Sequence, residues 1–157
     1  MIFTVRYGGK GKVEKDGKEL TIAIPPDIVL SHTGPFIEVA ITHPRIVQEE
    51  LKSKAKAAPI VNVKALIDSG ASNTVISPRV ANELGLVHTG FQKVFSVQDE
   101  QKQPVYFGFI MFPWGSGKEI PIVSCPLRNF DCIVGRDIIR HWHLSYNGPD
   151  GSIVICD

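Results

Sequence analysis

A mostly β fold is predicted for this chain by three observations. Short β-branched or aromatic runs alternate with polar positions, and turn-formers are frequent, with 14 glycines and 11 prolines in 157 residues. Only two segments carry helix start and stop signals. Taken in order, residues 3 to 24 read as an N-terminal ribbon, because Asp16-Gly17 is a tight-hairpin signal and Leu20-Thr21-Ile22-Ala23-Ile24 alternates cleanly. Further strands are expected at Phe36–Ile41, Val61–Ile67, Val105–Ile110 and Ile153–Ile155, each bounded by Gly, Pro, Asp or Asn. The lysine-rich stretch from Gln48 to Pro59 reads as a solvated loop or a frayed helical turn. One helix should start at Ser77 with Pro78 at its first position and stop at Gly85, and a second, shorter one should span Asp137–Trp142.

Composition narrows the function classes. With 17 Lys+Arg against 16 Asp+Glu the net charge is +1, which removes the broad basic field of a non-specific nucleic-acid binder. No run of eighteen apolar residues offers a membrane span, and the N-terminus breaks at Gly8-Gly9 before a signal-peptide core could form, so a cytoplasmic, soluble single-domain protein is expected. Cys125, Cys132 and Cys156 are odd in number and lack C-x-x-C spacing, which predicts reduced thiols. His141-Trp142-His143 has no further ligand at recognisable spacing, so neither a metal nor another cofactor is expected.

The chemistry concentrates in two stretches. In Ala65-Leu66-Ile67-Asp68-Ser69-Gly70-Ala71-Ser72-Asn73-Thr74-Val75-Ile76, an apolar strand runs straight into a carboxylate, a hydroxyl and a glycine. An acid at the end of a buried strand is costly to desolvate, so a bland core would not choose it, and the glycine lets backbone approach the carboxylate closely. The tripeptide alone is a weak signal. The second stretch, Phe130-Asp131-Cys132-Ile133-Val134-Gly135-Arg136-Asp137-Ile138-Ile139, is an apolar pair and a glycine leading into a short helix.

In that order and spacing the two stretches resemble the retropepsin-like aspartic peptidases, the family of retroviral proteases and their cellular and bacterial relatives. The resemblance covers roughly residues 35 to 157, leaving residues 1–34 as an N-terminal extension and 42–59 as an insert. It implies a retropepsin-like acid-protease fold with one or two short helices and a flap hairpin. Asp68 would be the catalytic aspartate, Ser69 the hydroxyl tying two active-site loops together, and Gly70 the backbone contact to the carboxylate. Ala71, Ser72 and Asn73 would bind substrate. Ile133, Val134, Gly135 and Arg136 would support the loop. The stretch Val94–Tyr106, two alternating arms around a polar tip, resembles the family's flap, with Ser96, Val97 and Gln98 facing substrate. Many retroviral members pair the arginine of the second motif with an aspartate two residues past the motif glycine. Here Ser72 stands at that place, so Arg136 is expected to turn to Asp137 or another acid.

Pepsin-type chemistry needs two carboxylates sharing a proton, and one chain supplies one. The resemblance therefore implies a homodimer with Asp68 of each copy facing across a two-fold axis, with Ser152–Cys156, a strand with an otherwise unpaired edge, at the interface. The expected function is a homodimeric aspartic endopeptidase acting on extended peptides. The alternative is a catalytically silent dimerisation or peptide-binding module of the same fold. A nucleic-acid-binding barrel would draw only on the lysines between 52 and 64.

Overall fold

In the computed structural model, which describes residues 1–15, 18–95 and 100–157, the alternating runs become strands. Ile2–Arg6 (β1), Gly9–Lys15 (β2) and Lys18–Ile24 (β3) lead into helix Pro26–Thr33 (α1). Phe36–Thr42 (β4), helix Arg45–Ser53 (α2) and Ile60–Ile67 (β5) follow. Next come Val75–Ile76 (β6), helix Pro78–Leu84 (α3), Val87–Phe95 (β7), Glu100–Met111 (β8), Gly117–Ser124 (β9) and Cys132–Val134 (β10). Helix Arg136–Ile139 (α4), His143–Asn147 (β11) and Ser152–Cys156 (β12) complete the order. Among the described residues strand accounts for 50% and helix for 19%, so the chain is mostly β.

Two compact units emerge, one of Met1–Phe36 with Ile139–Asp157 and one of Ile37–Ile138. The first contains an antiparallel sheet of order β1-β12-β11 and the separate β2-β3 ribbon. The ribbon is shorter than the sequence suggests. It runs from Gly9↔Ile24 to Lys15↔Lys18, its Asp16-Gly17 turn lying outside the described residues, whereas β1 pairs with β12 from Ile2↔Cys156 to Arg6↔Ser152. The chain leaves β1 at Tyr7, whose N–H donates to Gly151 O (2.8 Å) and whose hydroxyl donates to Phe36 O (2.7 Å). Gly151 has φ 59°, and a β-carbon there would lie 2.0 Å from the Pro26 carbonyl carbon, so the first turn of α1 rests directly on this glycine. The expectation that Ser152–Cys156 keeps an unpaired edge is corrected: β1 fills one side of β12 and β11 the other.

In the second unit the sheet order is β4-β5-β10-β6-β9-β8-β7, and β4 pairs again with β8 through Ile41↔Ile110. Six strands therefore close into a ring, and β7 extends it through its hairpin with β8. Alternation does the sorting: on β5, Val61, Val63, Ala65 and Ile67 are buried while Asn62 and Lys64 are exposed. Ile41, Ile76, Ile110 and Ile122 are fully buried, each contributing about 1.5–3 kcal/mol of transfer free energy.

Helix α3 sits where Ser77, Pro78 and Gly85 place it, with Gly85 left-handed at φ 61°. The Ser77 hydroxyl makes no cap bond and donates instead to Asp131 Oδ1 (2.6 Å). Helix α1 is unanticipated, and α2 is longer than the frayed helical turn that the sequence offered as one reading of Gln48–Pro59. Both follow a proline and neither has a side-chain cap, so the usual start signal is missing, and α2 replaces the expected loop over its first part. Helix α4 ends at Ile139 rather than Trp142.

Candidate active site

Asp68 stands where β5 ends. Ile67 points into the core, and the half-buried Asp68 emerges from the ladder. Its N–H donates to Val134 O (3.0 Å), continuing the parallel pairing in which Ile133 faces Leu66 and Val134 faces Ile67. The turn that follows is tight. Gly70 N–H donates to Asp68 Oδ1 (2.8 Å) and Ala71 N–H to the Asp68 carbonyl (3.2 Å). A β-carbon on Gly70 would lie 3.0 Å from Oδ1, so only glycine allows this approach without displacing the carboxylate.

The second stretch docks onto this turn through its backbone. Arg136 N–H donates to Ala71 O (2.9 Å) and Asp137 N–H to Ser72 O (3.3 Å). The Arg136 guanidinium donates to the carbonyls of Ser69 (2.8 Å) and Gly70 (3.0 Å) and to Ser72 Oγ (2.7 Å). The expected turn of Arg136 toward Asp137 or another acid therefore does not occur. Asp137 is taken by Thr74, which gives its N–H to Oδ2 (2.9 Å) and its hydroxyl to Oδ1 (2.9 Å), while Ile138 N–H also reaches Oδ1 (3.0 Å). Buried Thr74 Oγ1 in turn accepts Gly135 N–H (3.2 Å). With a carboxylate as acceptor these bonds are charge-assisted and hold the loop at both ends. Sequence reading missed the Thr74–Asp137 link; a hydroxyl opening an apolar strand and an acid just after Gly135-Arg136 were the available signals.

A cleft of about 410 Å³ lies against the loop. Gly70, Ala71, Ser72, Asn73, Val75 and Ile133 form one side, and Gln92, Lys93 and Val94 of β7 with Val123 and Cys125 complete it. Gln92 Nε2 donates to Asn73 Oδ1 (2.9 Å), joining the hairpin arm to the loop. Gly70, Ala71, Ser72, Asn73 and Ile133 thus line the cleft; Asp68 and Ser69, which precede Gly70 in the turn, are not among its lining residues, and Val134 and Gly135 pack against β5 and the Asn73 backbone. Ser96, Val97 and Gln98 lie outside the described residues. Val94 belongs to the stretch that resembles the flap, whereas Gln92, Lys93 and Val123 carry no such signal, since an alternating strand does not announce which of its faces meets a cleft.

Burial pushes the Cys125 thiol upward and the fully buried Cys132 thiol further, the latter also against Asp137 and Asp131, so neither is poised as a nucleophile. No disulfide joins the cysteines among the described residues, nor is there a group of three or more His, Cys, Asp or Glu placed to hold a metal. Among the described residues no helix is long and apolar enough to cross a membrane.

No family model matches the sequence, and no curated protein matches it. Solved structures similar to the chain are retroviral and retropepsin-like proteases. EIAV protease complexed with the inhibitor HBY-793 superposes with a TM-score of 0.49 at 16% identity, covering 68% of this chain and 86% of that one. A retropepsin-like aspartic protease from Rickettsia conorii gives 0.46 at 15% identity, covering 77% and 91%. The retroviral protease-like domain of Ddi1 from Leishmania major gives 0.42 at 18%, covering 71% and 81%.

Proposed function

We propose that the chain is one half of a homodimeric aspartic endopeptidase, with residues 35–157 as the protease-like span. The observation that carries this reading is the strand-end carboxylate of Asp68, held through Oδ1 by Gly70 N–H and fixed in a loop clamped by Arg136 beside a cleft. Two such loops facing one another would bring two Asp68 carboxylates within a few ångströms. Like charges that close cannot both ionise, so the pair keeps one proton: the ionised member takes a proton from water as it attacks the peptide carbonyl, and the protonated member hydrogen-bonds the developing oxyanion. The exposed Ser69 hydroxyl is available to bridge the two loops. An extended peptide would lie along the cleft as an added strand, its apolar side chains against Val75, Val94, Val123 and Ile133, with the β7-β8 hairpin closing over it as the flap.

Of the second reading, a catalytically silent dimerisation or peptide-binding module, one observation favours the peptide-binding form. Because β12 is flanked by β1 and β11 of its own chain, a second copy has only the outer edges of β1 and β11 to extend in that sheet. Digestion of a denatured protein mixture at about pH 3 to 7 by wild type and Asp68→Asn separates the readings. The endopeptidase yields new peptides with wild type only. Identical peptide maps from both proteins would establish the silent module.

A further inference from the structure

The segment between β4 and β5 takes no part in the site above, yet it builds a groove of about 560 Å³. On α2, Arg45, Gln48, Glu49 and Lys52 recur at the spacing that puts them on one helical face, and that face is one wall of the groove. After the helix, Ala55 turns the chain back at φ 54°, and Lys56 N–H donates to Leu51 O (2.9 Å). The returning segment brings Lys56, Ala57, Ala58 and Ile60 to the groove.

The walls are held before any partner arrives. The Gln48 side-chain amide donates to His43 O (2.6 Å), Arg45 N–H donates to Glu119 Oε1 (2.5 Å), and the Arg45 guanidinium lies over the Phe109 ring at 5.2 Å from its centroid. The neighbouring lysine, Lys54, is taken by Glu50 at 2.6 Å, whereas Lys52 and Lys56 make no ion pair among the described residues. Among the lining residues three cations therefore stand against one carboxylate, Glu49, with Glu119 engaged by the Arg45 N–H beyond the lining, over a surface of small alanines and the half-exposed Ile60.

We infer that this groove is a docking site for an acidic, leucine-bearing segment of a partner protein. Charge complementarity selects the occupant: carboxylates answer Arg45, Lys52 and Lys56, and an aliphatic side chain covers Ile60 and the alanines. A nucleic-acid strand fits less well, because the lining offers no aromatic ring on which a base could stack and Glu49 opposes phosphate. The inference is independent of the chemistry at Asp68.

The test uses full-length Asp68→Asn, so that cleavage cannot consume the probe, and a short fluorescein-labelled peptide of alternating Glu and Leu read by anisotropy. Binding should weaken about tenfold in Lys52→Glu/Lys56→Glu, should weaken similarly when Gln replaces Glu in the probe, and should fade with added salt. Amide shifts on titration should fall within residues 45–60. Circular dichroism of the variant confirms its fold, and Lys52→Gln/Lys56→Gln should give an intermediate loss. Absence of binding at about 1 mM probe, equal affinity of the charge-reversed variant, or shifts confined to residues 70–75 and 92–94 would overturn the inference. Tighter binding of an oligothymidylate that is lost in the same variant would overturn it in favour of nucleic acid.

Discussion

A β-carbon on Gly135 would lie 2.4 Å from both the carbonyl carbon and the oxygen of Asn73, because the second stretch packs directly on the loop that follows Asp68. The obstacle is backbone, which cannot rotate away, so Gly135→Ala should cost about 2–4 kcal/mol of stability in urea unfolding. A loss under about 0.5 kcal/mol would show that the two stretches do not touch so closely. Gly70→Ala differs in kind. Its β-carbon meets only the Asp68 carboxylate, at 3.0 Å, so stability should change little while proteolysis falls more steeply, checked by comparing the midpoint of unfolding with the cleavage rate. Asp131 gives a pH signature. Hydrogen bonds from Arg79 and from Ser77 hold its carboxyl below the ordinary carboxylate range. A depressed acid stabilises the fold above its unfolded pKa of about 4, and that contribution disappears as pH falls through the folded value. Asp131→Asn should therefore lower the melting temperature at neutral pH and narrow the gap to wild type below about pH 4. An equal gap at all pH values would contradict this. At this scale the motif glycines and Asp68 were legible because Asp-Ser-Gly at a strand end is a local pattern. Two of the three Arg136 partners, the Ser69 and Gly70 carbonyls, were not legible, since no side-chain pairing rule points to main-chain acceptors.

Local signals also decided which elements could be read. Helix α3 was legible from Ser77-Pro78 and Gly85, and the strands at Phe36 and Val61 from their alternation. Helices α1 and α2 lack a capping side chain, and β9 carries Pro121. That proline is tolerated because β6 pairs with β9 only at Val123 and Ser124, so at Pro121 no ladder to β6 needs an N–H. The pairing of β1 with β12 joins residues far apart in sequence and has no local signature at all. Its consequence is that residues 1–34 supply the strand beside β12 and, through α1, the backbone against Gly151. A chain beginning at Gly34 should be insoluble, and wild type held at mildly acidic pH should keep its intact mass. A cut between residues 25 and 36 that is absent in Asp68→Asn would instead mark a removable segment. Tyr7 reports on the same unit. Burial, aided by Tyr146, pushes its phenol up to about 12. The neutral phenol is the favoured form, so its contribution is complete below an unfolded pKa of about 10 and is lost as pH rises toward the folded value. Absorbance titration should show one late phenol that disappears in Tyr7→Phe.

For the whole molecule, the number of acids governs the account: with one Asp-Ser-Gly per chain, the proposed endopeptidase would need two chains together. Sequence order and spacing made the two stretches legible as a pair, whereas the occupation of both flanks of β12, which leaves β1 and β11 as the outer edges of that sheet, is a three-dimensional property. Specific activity should accordingly fall on dilution through the dimer dissociation constant. The most direct measurement holds wild type at a fixed concentration, adds increasing Asp68→Asn, and follows cleavage of a denatured protein. Mixed dimers carry a single carboxylate, so activity should decline toward zero as the inactive chain captures wild-type partners. Cleavage that stays constant through a large excess of Asp68→Asn, with mixed dimers demonstrated by mass, would contradict a shared aspartate pair.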